Sequence, residues 1–186
     1  MKVILNSTHL KKLLPFILCM QLIHVHAQYP NLVFNKLTIQ EGLPDGSIRC
    51  LLQDKLGYIW MGTKAGIVRY NGYQTKVYNF GNANVKKASA ETIFEDRSGR
   101  IWVGTFYMGL LYYDRATDDF KPYQPANGNK ISNNYINQIL DDGKQNLWVI
   151  SVNLENNIYS LDKVNLVSGK IAHYNSFEKG NHHIEV

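Results

Sequence analysis

The stretch Asp54-Lys-Leu-Gly57-Tyr-Ile-Trp60-Met-Gly62-Thr63 decides the fold, because its pattern returns twice along the chain. Asp96-Arg-Ser-Gly99-Arg-Ile-Trp102-Val-Gly104-Thr105 repeats the Asp, Gly, Ile, Trp, Gly and Thr at identical offsets. A third copy, Asp142-Gly-Lys-Gln-Asn-Leu-Trp148-Val-Ile-Ser151, keeps Asp and Trp, changes Thr to Ser and lacks both glycines at their offsets. The three tryptophans are 42 and 46 residues apart, a period typical of four-stranded propeller blades.

Each copy also predicts four strands. Ile48, Cys50 and Leu52 alternate with polar residues in the first copy, which is the period of a strand. The Asp and Gly that follow predict a tight turn, since Asp bonds nearby backbone N–H groups and Gly adopts positive φ. Asn71-Gly72 is a two-residue hairpin signal. The predicted strands are 47–53, 58–63, 67–70 and 73–80; then 90–95, 101–105, 110–113 and 118–123; then 135–140, 147–152, 157–161 and 170–174.

These patterns predict an all-β fold, a partial β-propeller with three four-stranded blades and the start of a fourth. The incomplete propeller would occupy 28–186, with blades at about 34–80, 81–124 and 125–177, and 178–186 would open the next blade. Exposed blade faces and open edges predict marginal stability unless further blades or self-association cover them. Cys50 is expected to be a small buried core residue.

The repeated residues are expected to be structural. A tryptophan can fill the gap between two blades while its N–H bonds a backbone carbonyl. The second glycine of each motif permits close backbone approach in a strand, and the threonine can bond a turn. The predicted signature consists of Asp54, Gly57, Trp60, Gly62, Thr63, Asp96, Gly99, Trp102, Gly104, Thr105, Asp142 and Trp148.

The N-terminus predicts a cleavable export signal over 1–27. Lys2, Lys11 and Lys12 precede an apolar run of 13 residues, Leu13 to Val25, which is too short to span a membrane. Val25 and Ala27 place small or apolar residues where a cut after Ala27 requires them. An uncleaved anchor, or a lipid attached at Cys19, are the alternatives. The sequence therefore predicts a periplasmic or otherwise exported protein.

Charge and composition exclude several functions. The chain of 186 residues is 45% hydrophobic and 19% charged, as globular domains are. Its net charge of +5 falls to +2 once the three lysines of the first 27 residues are set aside, because that segment has no acidic residue. No basic stripe remains, so nucleic acid is not an expected partner.

The repeats resemble a known family. Gly42-Leu43-Pro44, the strand after it, Asp54 to Thr63 and Gly66 to Tyr70 are similar to the two-component regulator propeller repeat. That repeat has a Gly-Leu-Pro entry, an Asp-x-x-Gly-x-x-Trp turn and strand, then Gly-Thr and Gly-Leu. The second copy matches through Gly109-Leu110 and Tyr113-Asp114, and the third more loosely from Ile131. The resemblance covers 34–162 well and 163–186 weakly.

The resemblance implies an extracytoplasmic sensor. Propellers of this family form the N-terminal sensor part of hybrid two-component histidine kinases that respond to breakdown products of glycans. The chain has no phosphoacceptor helix, ATP-lid motif or receiver pocket, and His183-Ile184-Glu185 does not supply one. We therefore expect a sensor fragment of a signal-transduction protein with no enzymatic activity, no cofactor and no membrane span of its own. Its expected partner is an oligosaccharide or another small ligand.

Other functions stay open at this point. A free-standing secreted binding module or lectin-like scaffold would have the same sequence over these residues. A glycosidase needs two positioned carboxylates, and the candidates Asp45, Glu91, Glu95, Asp118 and Asp119 lie in predicted turns or on solvent faces. His173, His182 and His183 match no zinc pattern, and Asp141-Asp142-Gly143 lacks the ligand series of a calcium loop. The predicted ligand or partner loops are 40–47, 81–89 and 125–134, on one side of successive blades.

Overall fold

The computed structural model describes residues 36–80, 89–125 and 128–178. The predicted signal segment lies outside the described residues, as do 179–186 of the expected fourth blade. Glu178, its first predicted residue, is the last residue of a strand of the third sheet.

In the described ranges, twelve strands form three four-stranded antiparallel sheets, which confirms the all-β prediction. A 3-10 turn, Ile39–Glu41, precedes them. Sheet 1 contains β1 (Ile48–Gln53), β2 (Ile59–Thr63), β3 (Gly66–Tyr70) and β4 (Thr75–Tyr78). Sheet 2 contains β5 (Ala90–Glu95), β6 (Ile101–Thr105), β7 (Leu110–Asp114) and β8 (Asp119–Pro122). Sheet 3 contains β9 (Tyr135–Asp141), β10 (Asn146–Asn153), β11 (Ile158–Asn165) and β12 (Ile171–Glu178).

Each sheet is a meander in which consecutive strands pair, so the sheets are blades of one design. The first strands, β1, β5 and β9, contact one another from sheet to sheet, and we call them the inner strands. The chain enters every inner strand at the same end as the β2–β3, β6–β7 and β10–β11 turns, which we call the entry end. The signature turns that follow the inner strands lie at the opposite end, the turn end. The described part of the chain does not form a closed barrel.

Apolar cores join neighbouring sheets. In the first joint, Trp60, Ile67 and Tyr78 of sheet 1 pack with Ile101, Val103, Leu111 and Tyr113 of sheet 2. In the second joint, Trp102 and Leu110 of sheet 2 pack with Ile136, Leu147, Val149 and Val164 of sheet 3. Trp60 and Trp102 are fully buried, and a buried aromatic ring contributes strongly to such a core. One face of each sheet therefore carries the tryptophan, and the next sheet offers an apolar receiving face.

The second glycine of the motif lies where its own inner strand and the next sheet leave no room for a side chain. A Cβ added at Gly104 would come within 2.6 Å of Cγ2 of both Thr92 and Ile136. A Cβ added at Gly62 would likewise collide with the Cys50 sulfur and crowd Ala90. Burial raises the pKa of the Cys50 thiol to about 12, so the thiol is protonated at neutral pH. Sheet 3 has Ile150 at the matching position.

Among residues 36–80, 89–125 and 128–178, no helix has the length and apolar character that a membrane crossing requires.

Candidate functional site

The signature aspartates organise the turn end. Asp54 Oδ1 accepts backbone hydrogen bonds from Leu56 and Tyr58, both at 2.9 Å, and its Oδ2 accepts from Trp60 Nε1 at 2.8 Å. In sheet 2, Asp96 Oδ1 accepts from Ser98 Oγ at 2.6 Å, and Oδ2 accepts from Trp102 Nε1 at 2.8 Å. One carboxylate thus closes the turn and fixes the ring that fills the joint.

This arrangement corrects the expected partner of the indole N–H groups and explains why the Asp96 carboxylate is charged. The indole N–H groups donate to the signature carboxylates, not to backbone carbonyls as the sequence suggested. Burial alone would raise the pKa of Asp96, but hydrogen bonds from Ser98, Trp102 and the Arg100 backbone outweigh it and lower that pKa. Hydrogen bonds to a carboxylate favour its charged form. Asp96 is therefore held as an anion under a buried tryptophan.

The third signature turn is built from other side chains. Asp142 Oδ2 accepts from Asn146 Nδ2 at 2.7 Å, and its Oδ1 accepts from the Lys144 backbone at 2.6 Å. Trp148 is half-buried on the open face of sheet 3. Gln145 occupies the position of Gly57 and Gly99 and keeps their left-handed backbone, with φ 70°. The turn has therefore lost its glycine and its bond to tryptophan but has kept its shape.

The threonines close the opposite end of the same strand. Thr63 Oγ1 donates to the Gly66 carbonyl at 3.0 Å, and Thr105 Oγ1 donates to the Gly109 carbonyl at 2.9 Å. Each also accepts a backbone N–H of its turn, from Ala65 and Met108 respectively. The signature residues thus occupy both ends of the second strand of a blade, where they stabilise its turns.

Cations from one turn reach the next sheet, a feature that sequence reasoning missed. Lys55 Nζ donates to the carbonyls of Asp96 and Arg97 at 3.0 and 3.2 Å. Arg97, at the equivalent position of sheet 2, lies 3.6 Å from Asp141 of sheet 3. Aligning the repeats shows a cation directly after Asp54 and after Asp96. These residues link the turns across the two joints.

Asp118 holds the outer part of the first joint. It has φ 49° and accepts from Lys76 Nζ at 2.5 Å, Tyr78 Oη at 2.8 Å and Arg69 at 3.2 Å, besides Tyr113 Oη. The Lys76 hydrogen bond is the main cause that lowers the pKa of Asp118, and the Tyr113 hydrogen bond adds to it. The carboxylate therefore connects sheet 2 to two cations of sheet 1.

Asp162 holds the segment that enters sheet 3. Its side chain is fully buried and occupies the position of Val68 and Leu111 in the other sheets. It accepts from the Ser132 backbone at 2.9 Å and from Ser132 Oγ at 2.7 Å, and His173 Nδ1 lies 2.6 Å away. This network satisfies a carboxylate that would otherwise be costly to bury.

A polar set lines the inner strands near the entry end. Each inner strand has a one-residue β-bulge, and the extra residues are Arg49, Glu91 and Asn137. Bulges re-aim side chains and are frequent beside functional sites. Arg49 lies 2.7 Å from Glu91 Oε2, whereas Glu91 Oε1 and Ser89 Oγ are buried without a hydrogen-bond partner. The part of this set that a bound molecule can reach is the Arg49 side chain, which is 40% exposed against 9% for Glu91.

An aromatic cluster lies beside this polar set. Phe106 contacts Tyr107 edge-on at 4.4 Å and Tyr135 at 4.7 Å, between ring centroids. The Phe106 backbone N–H donates to the Ser89 carbonyl at 3.0 Å, which ties the β6–β7 turn to the inner strand. Tyr107 is 48% exposed. The equivalent turn of sheet 1 contains Lys64 and Ala65 instead. Of the first two sheets, only sheet 2 therefore has aromatic residues in this turn.

The predicted ligand loops lie at this entry end where they are described. Residues 40–47 lead into β1, and 128–134 lead into β9 beside Gly109, whose N–H donates to the Asn134 carbonyl at 2.9 Å. Residues 81–88 and 126–127 lie outside the described part. A cleft of about 510 Å³ separates the β6–β7 turn from the segment before β9, and Met108, Tyr123, Lys130 and Asn134 line it. We call the bulge residues and the aromatic cluster, which the Phe106–Ser89 backbone hydrogen bond joins, the entry-end site. The cleft lies at the same end of the sheets, and none of these residues lines it.

The carboxylates considered for glycoside hydrolysis have structural partners in the fold. Asp45 and Asp119 accept nearby backbone N–H groups, from Ser47 at 2.6 Å and Phe120 at 2.8 Å. Glu95 accepts the Lys55 backbone N–H at 2.9 Å. Glu91 and Asp118 are engaged as described above.

The candidate metal residues do not converge within the described ranges. His173 lies on β12 beside Asp162, while His182 and His183 fall outside those ranges. Asp141 accepts the Gly143 N–H at 2.7 Å, within its own turn. No group of three or more His, Cys, Asp or Glu side chains arranged to hold a metal occurs in 36–80, 89–125 and 128–178.

Comparisons with known proteins identify the repeats. Residues 42–65 and 87–107 match the family model described as Two component regulator propeller. The resemblance stated from the sequence is therefore confirmed for the first two repeats. A stretch of 56 residues is 38% identical to Histidine kinase P4 from Formosa agariphila, and it represents 30% of this chain and 4% of the kinase.

Solved structures show the same architecture. The extracellular domain of the putative hybrid two component system BT3049 from B. thetaiotaomicron is similar with a TM-score of 0.63 at 22% identity, over 76% of this chain and 20% of that domain. The extracellular domain of the putative hybrid two component system BT4673 from the same organism gives a TM-score of 0.55 at 26% identity, over 70% of this chain and 19% of that domain. The chain thus spans about a fifth of either domain.

Proposed function

We propose that this chain is a ligand-sensing propeller segment of an extracytoplasmic two-component sensor, and that its entry-end site binds a small glycan. The observation that carries the sensor function is the pair of two-component regulator propeller repeats, in a chain whose fold resembles extracellular domains of putative hybrid two-component systems. The signature residues are committed to turns and joints, so ligand recognition falls to the loops.

The entry-end site has the chemistry that a neutral sugar requires. Arg49 and Glu91 neutralise each other, so the pair favours neither an anion nor a cation. A hydroxyl of the ligand can accept from the half-exposed Arg49 guanidinium, which Glu91 holds in place from below the surface. The exposed ring of Tyr107 offers an apolar face for the C–H surface of a sugar ring, as aromatic side chains do in binding sites.

The opposite end is a poorer candidate. A larger cleft, of about 660 Å³, lies between the signature turns of sheets 2 and 3 and is lined by Arg97, Arg100, Asp141 and Lys144. Arg97 and Asp141 already pair across the joint there. The guanidinium of Arg100, which lines this cleft, covers the rings of Trp102 and Tyr112.

Isothermal titration calorimetry with laminarin, xylan and mannan oligosaccharides as probes tests the proposal. We expect Tyr107→Ala to weaken binding of the recognised probe by about tenfold, a typical effect for a central aromatic contact. Glu91→Gln should weaken it as well, because the neutral amide removes the ion pair that positions Arg49. Tyr73→Ala is the matched control, since Tyr73 is 93% exposed at the turn end.

Two results would contradict the assignment. If a probe binds and Tyr107→Ala and Tyr73→Ala have the same effect, the ligand site lies elsewhere on the sensor. If none of these oligosaccharides binds, the glycan assignment fails, while the sensor assignment still rests on the repeats.

A further inference from the structure

The signature turn of sheet 2 is bordered by three clefts at the turn end. The cleft of about 660 Å³ lies between this turn and the signature turn of sheet 3. Two further clefts, of about 250 and 360 Å³, lie beside the same turn. Ser98 lines all three. The three therefore lie side by side around one turn, and we call them the turn-end clefts.

Arginines stand between these clefts. Arg97 lines the 660 and 360 Å³ clefts, Arg100 lines the 660 and 250 Å³ clefts, and Arg115 lines the 250 and 360 Å³ clefts. Lys144 adds a cation to the largest cleft, and Lys55 adds one to the 360 Å³ cleft. All five side chains belong to exposed residues. Each pair of neighbouring clefts thus shares one guanidinium.

The carboxylates of the same clefts are less accessible than the cations. The acidic residues that line the clefts are all buried or half-buried: Glu95, Asp96, Asp114 and Asp141. Each of them accepts at least one backbone N–H, from Lys55, Arg100, Ala116 and Gly143 respectively. Their oxygens are therefore occupied in turns, and a molecule that enters the clefts meets the exposed cations first.

Two of the arginines are positioned by their neighbours. The Arg100 guanidinium lies 5.6 and 5.3 Å from the ring centroids of Trp102 and Tyr112, which are cation–π contacts. Arg97 reaches the turn of sheet 3, where its Nη2 lies 2.6 Å from the position of a Cβ added at Gly143. Its Nε is 3.6 Å from the Asp141 carboxylate, longer than a hydrogen bond. Both forks can therefore still pair with a planar anionic group, as arginine does with carboxylates.

We propose that the turn-end clefts bind an oligosaccharide that carries carboxylate or sulfate groups at intervals along its length. Adjoining clefts with a guanidinium between each pair suit an extended ligand with separated charges better than one compact ion. Leu166 and Val167, on the sheet 3 side of the largest cleft, offer apolar surface to the C–H face of a sugar ring. This site lies at the opposite end of the sheets from the entry-end site and takes a charged ligand rather than a neutral one.

Isothermal titration calorimetry of the full chain at low ionic strength, with trigalacturonate as the probe, tests this site. Arg100→Gln should weaken binding by about tenfold, because a charge-assisted hydrogen bond is lost. Lys144→Gln should weaken it by about threefold, as the loss of an exposed charge does. Added sodium chloride should weaken it further, because salt screens exposed charges. Lys64→Gln is the matched control, since it removes the same charge from an exposed turn at the entry end.

Lys144→Gln keeps the test independent of folding. Among residues 36–80, 89–125 and 128–178, the Lys144 side chain has no hydrogen-bond or ion-pair partner, so its replacement should leave the turn intact. Arg100→Gln removes two cation–π contacts, and far-UV circular dichroism shows whether the sheets still form. A fall in affinity in both variants, with Lys64→Gln unchanged, supports the site.

Four outcomes would overturn the proposal. If neither trigalacturonate nor a chondroitin sulfate tetrasaccharide binds at low salt, the clefts do not take acidic sugars. If Lys64→Gln loses as much affinity as Lys144→Gln, the attraction is a property of the net charge. If Tyr107→Ala weakens trigalacturonate binding and Arg100→Gln does not, the anion occupies the entry-end site. If tripolyphosphate binds more tightly than trigalacturonate, the ligand is a compact phosphate. None of these results bears on neutral sugars at the entry-end site, which its own variants test.

Discussion

The first two repeats and the third form the same turn with different side chains. In the first two, the signature carboxylate bonds the buried indole of Trp60 or Trp102, and a glycine supplies the left-handed backbone. In the third, Asp142 bonds Asn146, and Gln145 adopts the left-handed conformation at φ 70°. The aspartate is the common element, since its Oδ1 accepts turn N–H groups in all three.

This difference separates two roles of the motif. The bond from aspartate to backbone makes the turn, and the bond from aspartate to tryptophan fixes the joint with the next sheet. The third repeat keeps the first role and relaxes the second, on the face that has no described neighbour. The free energy that each bond contributes should therefore differ between repeats, which can be measured.

The largest expected difference concerns the tryptophans. Trp102→Ala should cost about 3–5 kcal/mol in the free energy of unfolding, because it leaves a cavity in the second joint and removes the hydrogen bond to Asp96. Trp148→Ala should cost about 1 kcal/mol, the ordinary loss for a single substitution. Urea titrations in dilute solution measure both. Equal losses would show that the third face is as tightly packed as the others.

The second difference concerns how the segment that leads into the inner strand is held against its sheet. Leu43 packs with Met61 and Val68 in sheet 1, whereas Ser132 bonds Asp162 at the corresponding place in sheet 3. Asp162→Val should cost about 1–2 kcal/mol, since it leaves the Ser132 donors unpaired. The double variant Asp162→Val and Ser132→Pro, which reproduces Val68 and Pro44, should recover part of that loss. A double variant less stable than the single one would contradict this equivalence.

Much of this comparison could be predicted from the sequence, because the repeat period fixes which residues are equivalent. The twelve strands, the Asp turns and the meander order follow from the motif. The partners of long side chains could not be predicted. Lys55, Arg97 and Asp118 each contact a residue of a neighbouring sheet, some 40 residues away in the chain. The bulges at Arg49, Glu91 and Asn137 were missed for a similar reason. A bulge appears only once two strands are set in register.

The third difference concerns the backbone of the turn. Gln145→Gly should stabilise the chain by about 1 kcal/mol, because a left-handed conformation is costly for a residue with a Cβ. Gly99→Gln is the matched reverse change and should destabilise by a similar amount. Thermal melts of the two variants beside the unmodified chain compare them. A destabilising Gln145→Gly would mean that the Gln145 side chain contributes more than its backbone costs.

The smallest expected effect concerns how acid changes the stability of the first joint compared with the second. Asp118 binds Lys76 and Arg69 across the first joint, whereas Lys121, which is equivalent to Lys76, bonds Asp114 of its own sheet. The pKa of Asp118 is lowered in the folded chain, chiefly by Lys76. Its contribution is therefore present above the unfolded pKa, near pH 4, and is lost as the pH falls toward the folded pKa.

Asp118→Asn should therefore flatten the acid limb of the stability curve. Asn tolerates the left-handed backbone at this position, so the turn should survive. The loss at neutral pH should stay below about 1 kcal/mol, because the ion pairs are largely exposed. Urea titrations between about pH 2 and 6 should show a shallower fall in stability for the variant than for the unmodified chain. Parallel curves would mean that another carboxylate, such as Asp96 with its own lowered pKa, governs the acid response, and the signature turn rather than the first joint would be the acid-sensitive element.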